Sequence, residues 1–409
     1  MKKVVIVGGG FAGLNAAKKL GNKQNIEVIL IDKNNYHLFQ PLLYQVSMAG
    51  LNPSDIAVPL RNILSKFKNI TVYLGNMLAV DPEKNTIKTD FEEITYDYLV
   101  LACGSTYNYF GHNDWANYSL PLKHLEHARE IRRRVLLAFE EAEKTKDIDK
   151  QRKLLTFVII GGGPTGVELA GSIGEMSKFT LSRDFKNINT KSTRIILIEA
   201  TERILPTYSK KSSEIATKNL ESLGVHVWTS CPVSNIFEDC IEVKDEKINS
   251  STIIWTAGVK AVNISGLDKL NKDRAGRIFV GPELIVKEYP NIYIPGDLAH
   301  FEQNGKMLPG IAPVAMQEGI FVGKNILCKE KGKSCKGFKY LSRGQLATVG
   351  RNKAIADLWK IHLSGWFAWF NWLFIHIYYL TGFKNRAVVL IQWAWSYVTY
   401  KKGSRLILK

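Results

Sequence analysis

Three glycines near the start of the chain have the spacing of a dinucleotide-binding turn. Gly8, Gly10 and Gly13 follow the apolar run Val4–Val7 and open a segment whose apolar residues recur with helical spacing. In a β-α-β unit the first glycine permits a tight turn, the second lets a pyrophosphate approach the backbone, and the third lets helix and strand pack closely. The helix N-terminus then faces the phosphates. Asp32 ends the next predicted strand, where its carboxylate would accept hydrogen bonds from ribose hydroxyls.

A second set of glycines repeats this pattern in the middle of the chain. Gly161, Gly163 and Gly166 lie between another apolar run and another predicted helix, and Glu199 ends the strand that follows. A carboxylate there favours NAD over NADP because it repels a 2′-phosphate, whereas the nearby Arg203 would accommodate one. Two such units suggest two dinucleotides. Hydride transfer from a nicotinamide to a flavin is the simplest reaction that joins them.

The elements that must position these glycines are short apolar strands and amphipathic helices. Buried strands, as in a parallel sheet, are predicted over Val4–Val7, Glu27–Ile31 and Tyr98–Ala102. Further strands are predicted over Phe157–Ile160, Arg194–Ile198, Thr252–Thr256 and Ile292–Ile294. Helices are predicted over Phe11–Leu20, Leu125–Lys144 and Val167–Phe179, with a solvated connector at Lys144–Lys153 and an insertion within Ser177–Thr193. This alternation predicts an α/β fold.

The net charge of +17 is unusual for a chain of 409 residues, which is long enough for two or three lobes. Such an excess favours a polyanionic partner: nucleic acid, an anionic membrane or a charged cofactor. Lys336–Lys409 holds twelve Lys or Arg residues against one acid, Asp357, and six of the nine tryptophans. Because cations mixed with Trp and Tyr are typical of the headgroup layer of a bilayer, we expect an anionic membrane surface and no nucleic acid.

The segment Gly365–Phe383 has no formally charged residue and is long enough to cross a bilayer. Cations flank both of its ends, whereas a single span normally concentrates positive charge on one side. Asn371 and His376 also interrupt it. Its apolar residues at three- and four-residue steps are Trp366, Trp369, Leu373, Ile377 and Leu380. These features predict a helix lying in the membrane interface, with burial in a dimer interface as the main alternative.

The five cysteines form neither a C-x-x-C pair nor a metal-type cluster; they are Cys103, Cys231, Cys240, Cys328 and Cys335. We therefore expect no disulfide framework, no metal and a reducing, cytosolic compartment. A disulfide reductase would need a closely spaced cysteine pair, which this sequence lacks.

Longer motifs give the chain a resemblance to the two-dinucleotide-binding flavoproteins, among them Ala102-Cys103-Gly104 and Ile292–Asp297. Within that superfamily it is similar to the type II NADH:quinone oxidoreductases over nearly its whole length. The motifs that carry this narrower resemblance are Tyr36–Val46, Gly163–Gly171, Trp255–Val259, Ala315–Gly319, Gly350–Ala354 and Gly382–Arg386. It departs from some members at Ala312-Pro313, where they have Ala-Gln, and at Cys103, where threonine is common.

The resemblance implies non-covalent FAD as cofactor, NADH as substrate and a membrane quinone as acceptor. The FAD-binding residues that it implies, together with the glycine motif, are Gly8, Gly10, Phe11, Ala12, Gly13, Asp32, Lys33, Pro41, Met77, Cys103, Gly104, Gly296, Asp297, Ala315 and Gln317. For NADH the corresponding residues are Gly161, Gly163, Pro164, Thr165, Gly166, Glu168, Glu199 and Gly258. The catalytic residues implied are Glu168, Gln317 and Glu318, which would position the quinone and deliver protons to it.

Pattern and resemblance together predict two Rossmann-like domains, the second inserted in the first, and a membrane-associating helical region. The boundaries are 1–115 and 285–336 for the FAD-binding domain, 116–284 for the NADH-binding domain and 337–409 for the C-terminal region. We expect a peripheral enzyme without proton pumping on the cytoplasmic face of the inner (plasma) membrane, as a monomer or homodimer. The alternatives are a sulfide:quinone oxidoreductase, which needs cysteine sulfurs close to the flavin, and a non-catalytic sensor that binds FAD and NADH.

Overall fold

The computed structural model describes residues 1–333, 336–359, 361–400 and 403–407. The chain forms two compact units. The first contains Met1–Leu38, Ala57–Thr106 and Val259–Ser342, and the second contains Phe39–Ile56, Tyr107–Gly258 and Arg343–Lys409. The chain thus leaves and re-enters each unit, and the domain boundaries drawn from the sequence stay a prediction. Cys335 and Lys360, the cation that precedes the uncharged segment Gly365–Phe383, lie outside the described residues.

The α-helices of the described residues are α1 Phe11–Leu20, α2 Leu43–Ser47, α3 Pro53–Ile56, α4 Leu60–Leu64, α5 Leu125–Lys144, α6 Ile148–Leu154, α7 Pro164–Glu175, α8 Lys210–Ser222, α9 Ala312–Lys329, α10 Gly365–Tyr379 and α11 Phe383–Thr399. Helices α1 and α5 are confirmed as predicted. The predicted connector Lys144–Lys153 is wrong in part, because Asp147 caps the backbone N–H groups of Asp149 and Lys150 and starts α6.

The strands of the described residues are β1 Lys2–Val7, β2 Ile26–Asp32, β3 Tyr36–Leu38, β4 Ala57–Pro59, β5 Ile70–Leu74, β6 Met77–Asp81, β7 Thr86–Thr89, β8 Glu93–Thr95, β9 Tyr98–Leu101, β10 Ser105–Tyr107, β11 Leu120–Pro121, β12 Thr156–Ile160, β13 Arg194–Ile198, β14 Val225–Trp228, β15 Val233–Ile236, β16 Cys240–Val243, β17 Glu246–Asn249, β18 Thr252–Trp255, β19 Val259–Ala261, β20 Ile278–Phe279, β21 Ile292–Tyr293, β22 Ala299–His300, β23 Glu302–Gln303, β24 Lys306–Met307, β25 Gln345–Gly350, β26 Lys353–Leu358 and β27 Ile361–Ser364. They confirm the predicted strands, with bounds that differ by at most two residues.

The first unit is built on a five-stranded parallel sheet in the order β21-β9-β1-β2-β5. Val4, Val5 and Ile6 of the central strand are fully buried because both faces of the sheet are covered. Helix α1 packs closely against α9, which approaches from the far end of the sequence. The glycine turn after β1 therefore lies at the carboxyl edge of the sheet, where nucleotides bind in such folds.

The second unit repeats this plan with a parallel sheet in the order β11-β18-β12-β13-β14. Helix α7 begins at Pro164, three residues earlier than predicted, because proline is favoured at the first helical position. Its last turn continues into a π-helical turn at Met176–Thr180. The predicted insertion thus starts as an extension of the helix and reaches β13 through a loop that includes a 3-10 turn at Thr190–Ser192. Both units confirm the α/β fold.

The C-terminal part of the second unit is an antiparallel sheet, β25-β26-β27, followed by α10 and α11. The predicted C-terminal helices are confirmed, but the prediction of a helical region from residue 337 is wrong for these strands. Helix α10 packs on this sheet through the buried Ala368 and the half-buried Trp369, and Trp372 is buried on the same helix. In the described part of the chain, no helix is both long and apolar enough to cross a membrane. Large apolar side chains that remain exposed on the two helices are Trp366, Phe367, Phe370, Phe374, Tyr378, Phe383, Leu390, Ile391, Trp395 and Val398.

This exposed set differs from the apolar stripe predicted for the segment. Of the predicted residues only Trp366 is exposed, Leu380 is buried, and Trp369, Leu373 and Ile377 are half-buried. The difference arises because α10 is apolar around most of its circumference, so the sequence alone did not indicate which side would pack on the sheet.

Candidate functional site

The first glycine turn has a backbone that excludes side chains on two sides and leaves a third side open. Gly8 has φ of +104°, and a Cβ there would lie 2.2 Å from the carbonyl oxygen of Ala102. A Cβ on Gly13 would lie 1.9 Å from the carbonyl oxygen of Gly8, so helix and strand are in close contact. A Cβ on Gly10 would meet no atom within 4 Å. The open side lies at the N-terminus of α1, where a phosphate would receive backbone N–H donors.

The carboxylate of Asp32 stabilises this turn and lies where the ribose of a bound nucleotide is expected. Its carboxylate accepts hydrogen bonds from the backbone N–H groups of Gly9, at 2.5 Å, and Asn34, at 2.7 Å. Burial raises its pKa, and the two backbone hydrogen bonds oppose that rise. His37 was not singled out from the sequence, yet its ring Nδ1 lies 2.9 Å from the carbonyl oxygen of Gly9. Burial lowers the pKa of His37 to about 4, so Nδ1 donates this hydrogen bond as a neutral imidazole.

The other end of the predicted FAD site is the turn at Gly296 and Asp297. Ser105, which sequence reasoning missed, donates a hydrogen bond of 2.6 Å from its hydroxyl to Asp297 Oδ2. The backbone N–H of Gly296 donates a short hydrogen bond of 2.5 Å to Glu318 Oε2. These four residues and Ala315 line one cavity of the first unit. The structure thus brings together residues that are two hundred positions apart in sequence.

Helix α9 reaches this cavity because small residues let it approach α1. Ala12, Ala102 and Ala315 form one buried cluster, and a Cβ on Gly319 would lie 2.0 Å from the carbonyl oxygen of Ala12. Close contact between the two helices places Ala315 and Glu318 beside the first glycine turn. Gly323 continues the same contact, because a Cβ there would lie 2.7 Å from Lys19 Cβ.

Gln317 and Glu318 are neighbours in sequence but face different surroundings. Glu318 is only 2% exposed, and burial raises the pKa of its carboxyl to about 8, helped by the charge of Asp297 and opposed by the Gly296 N–H. The amide of Gln317 instead pairs with the backbone of Leu341, donating to its carbonyl oxygen and accepting from its N–H, both at 3.0 Å. Glu318 therefore holds the Gly296–Asp297 turn, whereas Gln317 holds the chain at Leu341.

The remaining residues predicted for FAD occupy both units. Phe11 stands first in α1 and packs edge-on against His37, with ring centroids 5.1 Å apart. Others in the first unit are Lys33 after β2, Met77 at the start of β6, and Cys103 and Gly104 after β9. Burial raises the pKa of the Cys103 thiol to about 12, which makes it a packing residue and a poor nucleophile. Pro41 lies in a 3-10 turn of the second unit, Gln40–Leu42.

The second glycine turn reproduces the first. Gly161 has φ of +108°, and a Cβ there would lie 2.7 Å from the backbone nitrogen of Ala257. A Cβ on Gly166 would lie 1.9 Å from the carbonyl oxygen of Gly161, while one on Gly163 would meet nothing within 4 Å. Pro164 and Thr165 form the first turn of α7, directly after this open position. Gly258 lies in the turn after β18, at the same edge of the sheet.

Glu199 takes the part in this turn that Asp32 takes in the first. Its carboxylate accepts from the backbone N–H of Gly162 at 2.7 Å, and from the N–H and hydroxyl of Thr201 at 2.8 and 2.9 Å. Arg203, which would suit a 2′-phosphate, instead donates to the carbonyl oxygens of Tyr208 and Pro206 at 2.8 and 2.7 Å. The carboxylate is therefore held at the turn, and the cation is committed to its own loop.

Glu168 lies on α7 one turn beyond the glycines, and its side chain is only 9% exposed. The backbone N–H of Thr348 lies 3.4 Å from Oε1, a long hydrogen bond. Burial raises the pKa of Glu168 to about 8, while the Thr348 N–H and the indole of Trp372 oppose the rise. Glu168 is therefore not a surface carboxylate at the helix end. It is a buried acid that is mostly protonated at neutral pH.

Among the described residues, no group of three His, Cys, Asp or Glu side chains is placed to hold a metal ion. Cys103, Cys231 and Cys240 are free thiols. His300 belongs to an ion-pair cluster, with its ring nitrogens 2.9 Å from Asp273 and 3.1 Å from Glu302. These contacts give His300 a structural partner on each side.

Comparison with known proteins first defines the class. The sequence profile of the pyridine nucleotide-disulphide oxidoreductase family matches residues 2–319, which include both glycine turns and the segment of Glu318. The class is therefore a pyridine nucleotide-disulphide oxidoreductase, with two parallel sheets and a dinucleotide turn on each.

Full-length relatives define the family more closely. A type II NADH:quinone oxidoreductase of Mycobacterium tuberculosis, Ndh, is 36% identical over 421 residues, covering 99% of this chain and 90% of that protein. A second one from the same organism, NdhA, is 37% identical and covers 99% of this chain and 89% of its own length. The chain belongs to the type II NADH:quinone oxidoreductase family.

A solved structure shows the same fold over the entire length. NDH2 from Plasmodium falciparum, in complex with NADH, has a TM-score of 0.90 at 21% identity and is matched over 100% of both chains.

Proposed function

We propose that the protein is an FAD-dependent enzyme that oxidises NADH and reduces a membrane quinone without pumping protons. The observation that carries this proposal is the pair of matching glycine turns, one in each unit. In each turn the glycine that follows the first motif glycine, Gly9 or Gly162, donates its backbone N–H to a carboxylate. Membership of the type II NADH:quinone oxidoreductase family supports the same reaction. One turn would hold the FAD pyrophosphate and the other that of NADH.

The residues of the first unit fit FAD. The open position at Gly10 gives its pyrophosphate room, Asp32 would meet the adenosine ribose, and Asp297, oriented by Ser105, would meet the ribityl chain. FAD, when bound, supplies an acceptor for the nicotinamide hydride and an electron donor for the quinone. Lys260 also lines the cavity near Asp297 and adds a cation for an anionic cofactor.

NADH is favoured over NADPH in the second unit. Glu199 places a negative charge where a 2′-phosphate would arrive, and three hydrogen bonds from Gly162 and Thr201 keep it there. Arg203 is engaged with backbone carbonyl oxygens and would have to leave them to bind a phosphate. The charge arrangement thus repels the phosphorylated nucleotide.

Glu168 would act as a proton donor in quinone reduction, which consumes two protons in addition to two electrons. Its raised pKa of about 8 keeps it protonated at pH 7, a requirement for a general acid. Gln317 stays a proposed quinone contact, and it would have to exchange its hydrogen bonds to Leu341. The proposed role of Glu318 is to support the Gly296–Asp297 turn.

The exposed apolar face of α10 and α11 is proposed to attach the protein to an anionic membrane on its cytoplasmic side. Aromatic side chains such as Phe370, Phe374 and Trp395 are 55–66% exposed and would lie in the headgroup and acyl boundary. The cations between Lys336 and Lys409 would favour anionic lipids. Attachment would keep the enzyme close to a substrate that dissolves in lipid.

Rapid mixing of the purified FAD-loaded protein tests the reaction. NADH should bleach the flavin absorbance, and a short-chain quinone added next should restore it. Bleaching without recovery would contradict quinone reduction and leave a sensing role. Failure to bleach would contradict NADH oxidation. A variant with all five cysteines replaced should still be reduced by NADH and reoxidised by quinone, because the proposed reaction uses no thiol. Loss of this cycle in the variant would favour the chemistry of a sulfide:quinone oxidoreductase.

Flotation with liposomes tests the attachment. The protein should float with vesicles containing phosphatidylglycerol, and Phe370→Asp with Phe374→Asp should leave it at the bottom of the gradient while FAD content stays normal. Phe110→Asp, an exposed aromatic residue outside the C-terminal helices, is the matched control. If the double variant floats unchanged, or if the parent forms a dimer that only these substitutions dissociate, the exposed face serves another purpose.

A further inference from the structure

A buried indole N–H on the C-terminal helix α10 is close enough to Glu168 to influence the pKa of its carboxyl. The indole Nε1 of Trp372 is buried and has no hydrogen-bond partner among the described residues. Burying a polar group without a partner has a cost in stability. Phenylalanine would fill much of the same space without that cost, so the indole N–H calls for an explanation.

The ring of Trp372 is held in one orientation by its neighbours. It stacks on His376 at a centroid distance of 4.1 Å and packs against Trp393 at 5.5 Å. The Nδ1 of His376 lies 2.7 Å from the carbonyl oxygen of Trp372, and burial lowers the pKa of His376 to about 4. The imidazole is therefore neutral and donates this hydrogen bond. The clamp fixes the direction in which the indole N–H points.

The indole is one of three influences on the pKa of Glu168. Burial comes first, then the Thr348 N–H, then the side chain of Trp372, and the last two favour the ionised carboxylate. Tyr44 on α2 and Tyr208 before α8 also face Glu168 and feel its charge. Besides Glu168, the acids that raise the pKa of these tyrosines are Glu175, further along α7, for Tyr44 and Asp357 on β26 for Tyr208.

We infer that Trp372 is a positioning residue for Glu168: its indole N–H donates a hydrogen bond to the carboxylate that forms when Glu168 gives up its proton. This inference rests on the proposed function, in which that proton passes to an oxygen of the quinone and is replaced from solvent. A protonated carboxyl is adequately served by the long hydrogen bond from Thr348. A buried carboxylate needs stronger hydrogen-bond donors, and the indole N–H of Trp372 supplies one.

The C-terminal helices then contribute to catalysis as well as to attachment. Helix α10 carries Trp372 on its buried side and Phe370 and Phe374 on its exposed side. A displacement of α10 would therefore change the hydrogen bonding of the acid on α7.

Trp372→Phe in the full-length holoenzyme tests the inference, with Trp369→Phe as the matched control on the same helix. Trp369 is half-buried, and its ring packs against Tyr397. The readout is the infrared band of the protonated carboxyl, identified by its loss in Glu168→Gln and titrated with pH. We expect Trp372→Phe to raise the midpoint by about 0.5 to 1 pH unit, because a donor to the charged form is lost. Trp369→Phe should leave the midpoint unchanged.

An unchanged or lowered midpoint in a folded Trp372→Phe protein would overturn the inference. If that variant loses FAD or melts early, benzothienylalanine inserted at position 372 removes only the N–H and keeps the ring. Failure of the proposed function would look different, since flavin would not be reoxidised by quinone in the parent while the band still titrated. With both intact, the alkaline limb of kcat should move in step with the band.

Discussion

The two glycine turns use the same backbone but stand on helices with different tasks. The φ angles at Gly8 and Gly161 are +104° and +108°. A Cβ on the third glycine of either turn would lie 1.9 Å from the carbonyl oxygen of the first. Beyond the turn, α1 presents small apolar residues to α9, whereas α7 carries the buried acid Glu168 and meets the backbone of β25 at Gly171. The backbone geometry of the turn is thus common to both units. The difference shows that one helix serves as a scaffold and the other also brings a titratable group.

Substituting the third glycine in each turn should separate the two units. A Cβ at Gly13 or Gly166 would lie 1.9 Å from a backbone carbonyl oxygen, so neither turn can accept one without moving. We expect Gly13→Ala to purify without yellow FAD. Gly166→Ala should retain FAD while its reduction by low concentrations of NADH slows by at least about 100-fold, a loss of roughly 3 kcal/mol in binding.

Visible absorbance and rapid mixing with NADH measure these outcomes. Gly281→Ala is the control, because a Cβ there meets only an ordinary contact at 3.9 Å. A Gly13→Ala protein with full FAD content, or equal loss of FAD in both variants, would show that the units do not bind their nucleotides separately.

Both turns could be located from the sequence because their function depends on local spacing. The glycines, the flanking strands and the two acids all lie within short segments whose periodicity specifies the β-α-β unit. The residues that complete the sites could not be found in this way. Ser105 reaches Asp297 across 192 positions, and Thr348 reaches Glu168 across 180. Such contacts depend on the tertiary path of the chain, which periodicity does not record.

The exposed side of the C-terminal helices could not be predicted either. Its composition predicted a helical region rich in exposed aromatic residues, and α10 and α11 confirm the helices. The side that packs was not predictable, because Ala368 and Trp372 are no more apolar than the residues that stay exposed. Only the position of β26 decides between the two sides.

The acids Glu168 and Glu318 allow a finer comparison, since both are buried and both have a pKa of about 8. Their donors differ: Gly296 N–H lies 2.5 Å from Glu318, whereas Thr348 N–H lies 3.4 Å from Glu168. We expect Glu168→Gln to slow quinone-dependent reoxidation by about 100-fold, because general acids contribute about 100- to 10,000-fold. Flavin reduction by NADH should stay within about twofold, and rapid mixing separates the two half-reactions. Equal slowing of both would contradict a role for Glu168 on the quinone side.

Glu318→Gln should show its effect in stability. A carboxyl whose pKa rises from 4.5 to about 8 on folding binds more protons in the folded state, so the parent loses stability as pH rises between those values. The amide has no such titration and can still accept from Gly296. Relative to the parent, the variant should gain roughly 1–3 kcal/mol in free energy of unfolding from pH 5 to pH 8. Denaturant unfolding of the holoprotein measures this, with the exposed Glu246→Gln as control. A constant difference across this range would mean that Glu318 is ionised in the folded protein.

The smallest effect is expected from replacing Glu199, the carboxylate of the second turn. Unlike Asp32, Glu199 also accepts hydrogen bonds from Thr201 and has an arginine, Arg203, close to it in sequence. Thr201 and Gly162 hold Glu199 in place, and Arg203 is occupied by carbonyl oxygens. Removing the charge in Glu199→Gln should narrow the preference for NADH over NADPH by about 3- to 10-fold, because repulsion is lost while no phosphate ligand is gained. The ratio of kcat/KM for the two nucleotides measures it. An unchanged ratio in Glu199→Gln would show that Glu199 does not set the selectivity. Glu199→Gln combined with Arg203→Ala separates the two contributions. If the preference for NADH narrows only while Arg203 is present, the guanidinium leaves its carbonyl partners to bind the 2′-phosphate.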